Sequence, residues 1–149
     1  MNFTCRKLDS GDIAYLVQLV KLYEDVFEMK NFSMPGESHL QTLLDDDKII
    51  FFVAMLDNEV VGGLTAYILP SVYATLAEVY IYDVAVETKH QRKGVGRQLI
   101  NSLKGFCKEL PVKEIYVPVN IEDKHAIDFY HSTGGIAEHV IHFSYRLDE

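Results

Sequence analysis

The sequence predicts one mixed α/β domain over residues 1–149, a sheet with hairpin-linked and helix-linked strands and about four helices on its faces. Three observations predict it. Ile49 to Leu56 and Glu59 to Leu69 are apolar, β-prone runs flanking an Asp57-Asn58 turn, the pattern of a hairpin. Glu78 to Val86 is long, β-branched and aromatic on both faces, as a central strand is, with Asp83 the exception within it. Just beyond, Gln91 to Gly96 leads into a helix that places Val95, Leu99, Leu103 and Phe106 on one face.

The other elements follow in order. Asn2 to Lys7 reads as a short strand. Asp9 and Ser10 offer capping oxygens to a helix in which Ile13, Leu16, Val17, Val20 and Tyr23 recur at helical spacing, up to Val26. Pro35 and Gly36 mark a loop, Ser38 to Leu44 a short helix, and Asp45 to Asp47 a solvated turn. Gly62-Gly63, inside the return strand, predicts a bulge or a close approach of other backbone, and Pro70 ends that strand. Ser71 to Leu76 is a loop. Pro111 lies beyond the long helix, and Glu114 to Val119 is the next strand. Asp123 caps a helix reaching His131, which Gly134-Gly135 ends. Ala137 to Tyr145 is expected to close the chain as β structure, and a homodimer paired through it is a further expectation.

The chain carries 22 acidic and 14 basic residues, a net charge of −8. Such a surface repels phosphate backbones, so general nucleic-acid binding is excluded, while a cationic small molecule is attracted. No apolar run approaches the roughly 20 residues that cross a bilayer, and the N-terminus lacks a signal-peptide stretch, so a cytoplasmic protein off the membrane is expected. Cys5 and Cys107 are far apart and form no C-x-x-C pair. His139 and His142 fall on opposite faces of the predicted last strand, and no metal site is expected.

The most informative segment is Gln91-Arg92-Lys93-Gly94-Val95-Gly96-Arg97. Gly94 and Gly96 let backbone N–H groups approach a ligand, and the start of the helix favours an anion. Arg92, Lys93 and Arg97 add positive charge in an otherwise acidic chain. A pyrophosphate suits this turn. It is not a P-loop, because Gly-Lys-Ser/Thr is absent, nor a dinucleotide fingerprint, because position 99 is Leu.

With Glu78 to Val86 before it, Gln91 to Gly96 resembles the Q/R-x-x-G-x-G/A signature of the GCN5-related N-acetyltransferase (GNAT) superfamily. Asn120 through Ala126 to Phe129-Tyr130 and Gly134 resembles that family's second motif. Within the superfamily the chain is most similar to the aminoglycoside 3-N-acetyltransferases of the gentamicin-modifying kind. Ala66 to Pro70, Glu78 to Val86, Leu99 to Lys104, Ile115 to Val117 and His142-Phe143 carry that similarity. The resemblance implies a sheet splayed between its fourth and fifth strands, acetyl-CoA as cofactor and a cationic amine acceptor. In that group several acids follow the strand ending near Val119. Here Asp123 remains, but Asn120 and Lys124 take two such places, and Lys124 would repel a polycation.

The resemblance also implies that the backbone of Val84, Ala85 and Val86 pairs with the pantetheine arm. An N–H near Val84 would stabilise the developing oxyanion. Gln91, Arg92, Lys93, Gly94, Val95, Gly96 and Arg97 would hold the pyrophosphate, and Asn120 and Tyr130 would contact the cofactor. The acceptor amine must lose a proton before it attacks. Asp83, an acid inside an apolar strand, is the first candidate base and Glu78 the second. Both, with Asp123, are candidate acceptor-binding groups. Tyr130, in Phe-Tyr-x-x-x-Gly, is the candidate acid that protonates the leaving thiolate. Two other readings are a peptide or protein N-acetyltransferase and an acetyl-CoA sensor without catalysis.

Overall fold

The computed structural model describes residues 2–148, which fall into two units divided after Pro118. In the first, β1 (Thr4–Lys7), β2 (Ile49–Leu56), β3 (Glu59–Leu69), β4 (Ala77–Val86) and β5 (Val112–Tyr116) form one sheet in that spatial order. Every neighbouring pair is antiparallel except β4 and β5, which are parallel and joined through α3 (Val95–Lys108). The middle strand is β3, so the aromatic run of β4 is interior but not central.

Local chemistry sets the hairpin between β2 and β3. Asp57 and Asn58 both take positive φ, 51° and 65°, as a two-residue type I′ turn requires. Val61 is the extra residue of a bulge opposite Ala54 and Met55.

The two glycines after it allow helices to close on both faces of the sheet. A Cβ on Gly62 would meet Val95 and Leu99 of α3. One on Gly63 would meet Leu19 of α1 (Ile13–Val26) and come within 2.8 Å of the Phe52 carbonyl oxygen. Alternation then places Thr65, Tyr67 and Leu69 on the α1 face with Gly63. Leu16, Leu19, Leu22 and Tyr23 of α1 and Leu40 and Leu44 of α2 (Glu37–Leu44) pack there with Phe51, Val53 and Ala85. Each such leucine contributes roughly 1.5–3 kcal/mol by leaving water. On the other face Leu99, Leu103 and Cys107 of α3 are buried, whereas Phe106 is half-exposed and stacks edge-on to Phe52 at 6.1 Å.

The cap of α1 is neither Asp9 nor Ser10. Asp12 is the N-cap residue, and its carboxylate is held by Arg6 at 2.7 Å and by the Asp9 N–H at 2.8 Å. Asp9 instead accepts from the Gly11 N–H. The strand expected over Glu114 to Val119 is β5, which starts earlier, at Val112, and ends at Tyr116.

In the second unit Asp123 caps α4 (Lys124–Ser132) by accepting from the Ala126 N–H at 3.1 Å. The helix ends in a Schellman motif: Gly135 donates to Tyr130 O at 2.9 Å, Gly134 to His131 O at 3.1 Å, and Gly134 has φ 96°. The strand expected over Ala137 to Tyr145 is absent. That segment pairs with no strand among the described residues, and Ile136, Val140, Ile141, Phe143, Tyr145 and Leu147 are exposed. Alternation alone does not make a strand, because backbone N–H and C=O groups need an edge to pair with.

Gly63→Ala should lower the unfolding free energy by about 1–3 kcal/mol, the range for overpacking, and with it the thermal and denaturant midpoints, because the Phe52 carbonyl cannot swing away as a side chain can. An unchanged midpoint in denaturant unfolding would contradict this packing.

Candidate active site

The site is built where β4 leaves β5. Their pairing runs from Ala77↔Val112 to Tyr80↔Tyr116 and stops. β4 continues to Val86, still paired to β3 on its other side. From Ile81 to Val86, therefore, no strand among the described residues pairs with the β5-side edge of β4. Its outward N–H and C=O groups are open to a ligand with amide-like groups. Val84, Ala85 and Val86 lie on this stretch, and the expected splay is present.

The turn that follows is shaped for an anion. After the short 3₁₀ turn Thr88–His90, Arg92 adopts φ 63° and Gly94 φ 85°. Gly94 is the N-cap residue of α3, and nothing lies within 4 Å of where its Cβ would be. No side chain caps this helix, and the first hydrogen bond back to the cap runs from Gln98 N to Gly94 O at 3.0 Å. Val95 and Gly96 N–H groups thus open the helix, where α-helical geometry supplies no internal acceptor. Arg92, Lys93 and Arg97 are exposed around them. This cradle fits a pyrophosphate, the group that acetyl-CoA would present. Gln91 has a structural role too: its Nε2 donates to Val86 O at 3.1 Å, tying the turn to the end of β4. His90 Nδ1 is buried without a hydrogen-bond partner, a polar atom that the sequence did not flag.

Asp83 faces the α1 side, opposite Thr65. Burial raises its pKa, and a hydrogen bond from the Thr65 side chain partly offsets the rise. An ionised carboxylate only accepts, so the Thr65 hydroxyl donates to it. The Tyr23 hydroxyl, 2.9 Å from Thr65 Oγ1, must then donate to Thr65. Burial holds the Tyr23 phenol well above its ordinary value, so it stays a donor. The result is a chain Tyr23→Thr65→Asp83 that leaves the carboxylate ionisable but basic.

Glu78 lies on the same face of β4, opposite Leu69 on β3 and Glu114 on β5. Between Glu78 and Asp83 the strand bulges: Ile81 pairs with Ala66 and Asp83 with Thr65, leaving Tyr82 unopposed. Four tyrosines meet on this face. Tyr67, Tyr80 and Tyr116 are direct partners across three strands, and the Tyr82 ring lies 5.9 Å from Tyr67 and 6.2 Å from Tyr80. The sequence reading missed this row, since each tyrosine alone is an ordinary strand residue.

In the second unit the Asn120 carboxamide oxygen accepts from the Glu122 N–H at 2.9 Å, so this end of the side chain is committed to a turn. One Asp123 oxygen is likewise occupied by its cap. Tyr130 is largely buried beside Phe129, with its pKa pushed up to about 12 by burial and then by Asp123. That departs from the ordinary phenol value near 10. The hydroxyl stays protonated at every pH of interest, a weaker acid but always a donor. A cleft of about 490 Å³ beside Lys48, Ile68, Ala77 and Val112 contains none of the expected site residues. No group of three metal-ligating side chains occurs among the described residues.

Residues 16–134 match the Acetyltransferase (GNAT) family. The chain belongs to that family. It is an acetyltransferase. An aminoglycoside acetyltransferase from an uncultured soil metagenomic sample, solved with trehalose, is 43% identical to it. The match covers 97% of this chain and 96% of that one, with a TM-score of 0.95. The sisomicin complex gives 42% identity with the same coverage and TM-score. The N-alpha-acetyltransferase of Saccharolobus solfataricus is 29% identical over 145 residues, covering 87% of this GNAT chain and 77% of its own.

Gly94→Ala forces an L side chain into left-handed backbone, at about 1–2 kcal/mol. If the turn must keep this shape to bind, the dissociation constant for acetyl-CoA should rise about tenfold. Titration calorimetry checks this, and unaltered affinity would separate the turn from cofactor binding.

Proposed function

We propose that this GNAT acetyltransferase moves the acetyl group of acetyl-CoA to a primary amine of a small cationic molecule, aminoglycoside-like, by direct attack in a ternary complex. The observation that carries the reading is Asp83. It is a carboxylate with a raised pKa, held by Thr65 on β4 where the strand is open to the cofactor arm. The 43% identity to an aminoglycoside acetyltransferase supports the acceptor class, as does the net charge of −8.

In this reading Val84, Ala85 and Val86 hold the pantetheine arm, and Gly94, Val95, Gly96 and Arg97 the pyrophosphate, with Arg92 and Lys93 adding charge. Gln91 braces the turn. Asp83 takes the proton of the acceptor ammonium, directly or through a water, and Glu78 and Asp123 attract the cation. The amine nitrogen then bonds to the thioester carbonyl carbon while an N–H near Val84 steadies the oxyanion. The C–S bond breaks and its electron pair leaves on sulfur. The Tyr130 hydroxyl gives that thiolate a proton, and Asn120 contacts the cofactor arm or the acceptor.

The 29% identity to an N-alpha-acetyltransferase favours a second acceptor, a peptide N-terminus. A thiol-release assay with sisomicin, spermidine, lysine and short peptides separates the two. Transfer to sisomicin with Asp83→Asn and Tyr130→Phe each slowed about 10²-fold or more, the scale of general acid–base catalysis, is the expected result. Transfer to peptides alone would establish the second reading. Acetyl-CoA binding without transfer to any amine would indicate a sensor.

The pH profile carries a sign. Asp83 must be ionised to accept a proton and its pKa is raised, so kcat/KM should fall with decreasing pH through an acid limb displaced upward from the ordinary aspartate value. Thr65→Val removes the hydrogen bond that lowers it, and the acid limb should move to higher pH. A limb that stays in place, measured on the variant by steady-state kinetics, would remove Asp83 as the base.

The reading also places the enzyme in the cytoplasm, where free thiols such as Cys5 and Cys107 persist. A second copy of the chain is the proposed partner of the C-terminal segment. There Val140, Ile141, Phe143, Tyr145 and Leu147 are 75–93% exposed, apolar surface left in water. Light scattering should give about twice the chain mass of 17.0 kDa, and Phe143→Asp should halve it. A parent that stays at the single-chain mass at every concentration would contradict the dimer.

A further inference from the structure

On the α1 face of β4 and β5, Glu78 and Glu114 stand directly opposite each other. Two like charges in that position repel. Neither is in an ion pair among the described residues, where the pairs are Arg6 with Asp12 and Lys89 with Glu87. The paired positions of this face on β3, β4 and β5 carry no lysine or arginine. Lys113, the extra residue of a bulge in β5, precedes Glu114 but is in no ion pair with either carboxylate among the described residues. A cation from outside would relieve the repulsion.

Two residues further along, the next position on this face, comes the row of Tyr67, Tyr80 and Tyr116, with Tyr82 added by the bulge. Tyr80 and Tyr116 meet edge to face with centroids 5.2 Å apart. Tyr82 is 66% exposed and Tyr116 38% exposed, so the row presents ring surface to solvent. Ring faces carry negative electrostatic potential and attract an ammonium within about 6 Å. Burial raises the Tyr116 pKa first, and the charges of Glu78 and Glu114 add to it, so the Tyr116 ring remains a neutral phenol beside negative charge.

We propose that the Tyr67–Tyr80–Tyr82–Tyr116 row, with the opposed Glu78 and Glu114, is a specificity subsite for an elongated acceptor bearing two or more ammonium groups. One ammonium bridges the two carboxylates, and the body of the molecule lies along the rings. Three neighbouring strands at about 4.8 Å spacing give the row a breadth near 10 Å, too long for one ammonium and suited to several. This rests on the acceptor reading under Proposed function. It goes beyond that reading by making Glu114 and the tyrosines, rather than Asp123, the groups that choose a polyamine over a monoamine.

Binding is tested apart from transfer, by titration calorimetry of sisomicin, spermidine and neutral trehalose into the CoA-loaded protein. Sisomicin and spermidine should bind, more weakly as salt rises, and trehalose should not. Tyr116→Leu and Tyr82→Leu should each weaken sisomicin about 3- to 30-fold, the range of a cation–π contact, while Tyr116→Phe, which keeps the ring, stays near the parent. Glu114→Gln should weaken binding and flatten its salt dependence. An unchanged CoA affinity shows each variant is folded, and Tyr82, the most exposed ring, guards against loss of fold at Tyr116. Leu variants that bind sisomicin like the parent, trehalose binding as tightly as sisomicin, or a parent that binds neither polyamine would each overturn the subsite. Failure of acetyl transfer with these affinities intact would fall on the proposed reaction alone.

Discussion

The parting of β4 from β5 after Tyr80↔Tyr116 is the constraint on which the other features depend. A parallel strand cannot leave its neighbour without stranding hydrogen-bonding groups, each costly if nothing replaces the lost partner. The bulge at Tyr82 makes the departure possible, since an extra residue bends the strand and strengthens its twist. The open edge leads, through one 3₁₀ turn, to the uncapped N-terminus of α3. One length of chain thus supplies an unpaired strand edge and, next to it, the open start of a helix.

The same sheet divides its two faces by chemistry. Gly62 and Gly63 admit α3 on one side and α1 on the other, and that close packing brings Tyr23 onto Thr65. Without α1 seated so closely, Thr65 would lack the donor that orients its hydroxyl toward Asp83. The helix stops short of the β5 side, where acids and tyrosines replace aliphatic residues. Packing on one half of the face sets the surroundings of Asp83, and the other half leaves Tyr82 and Tyr116 open to solvent.

What could be read from the sequence was what local rules encode. Asp57-Asn58 fixed its own turn, Gly134-Gly135 its own helix end, and the spacing of Ile13 to Tyr23 its helix. Gly94 and Gly96 marked the turn before α3, where the structure puts Gly94 at positive φ. Asp83 stood out as an acid within an apolar strand. Its partners did not, because Tyr23 and Thr65 lie 42 residues apart and meet only through packing. The tyrosine row was hidden for the same reason: Tyr67, Tyr80 and Tyr116 come into line only through the register of three strands. Asp12 displaced Asp9 and Ser10 as the cap residue because Arg6 holds it there. The C-terminal segment misled because its apolar alternation is that of a strand, yet it pairs with no edge among the described residues.

The central claim is that the acetyl group passes directly from acetyl-CoA to an amine nitrogen. Isotope-labelled acetyl-CoA, incubated with the enzyme and sisomicin and followed by mass spectrometry with fragmentation, tests it most directly. The account predicts label on one amino group of sisomicin and none on the protein at any time during turnover. Label held covalently by the enzyme, or recovered only as free acetate, would contradict it.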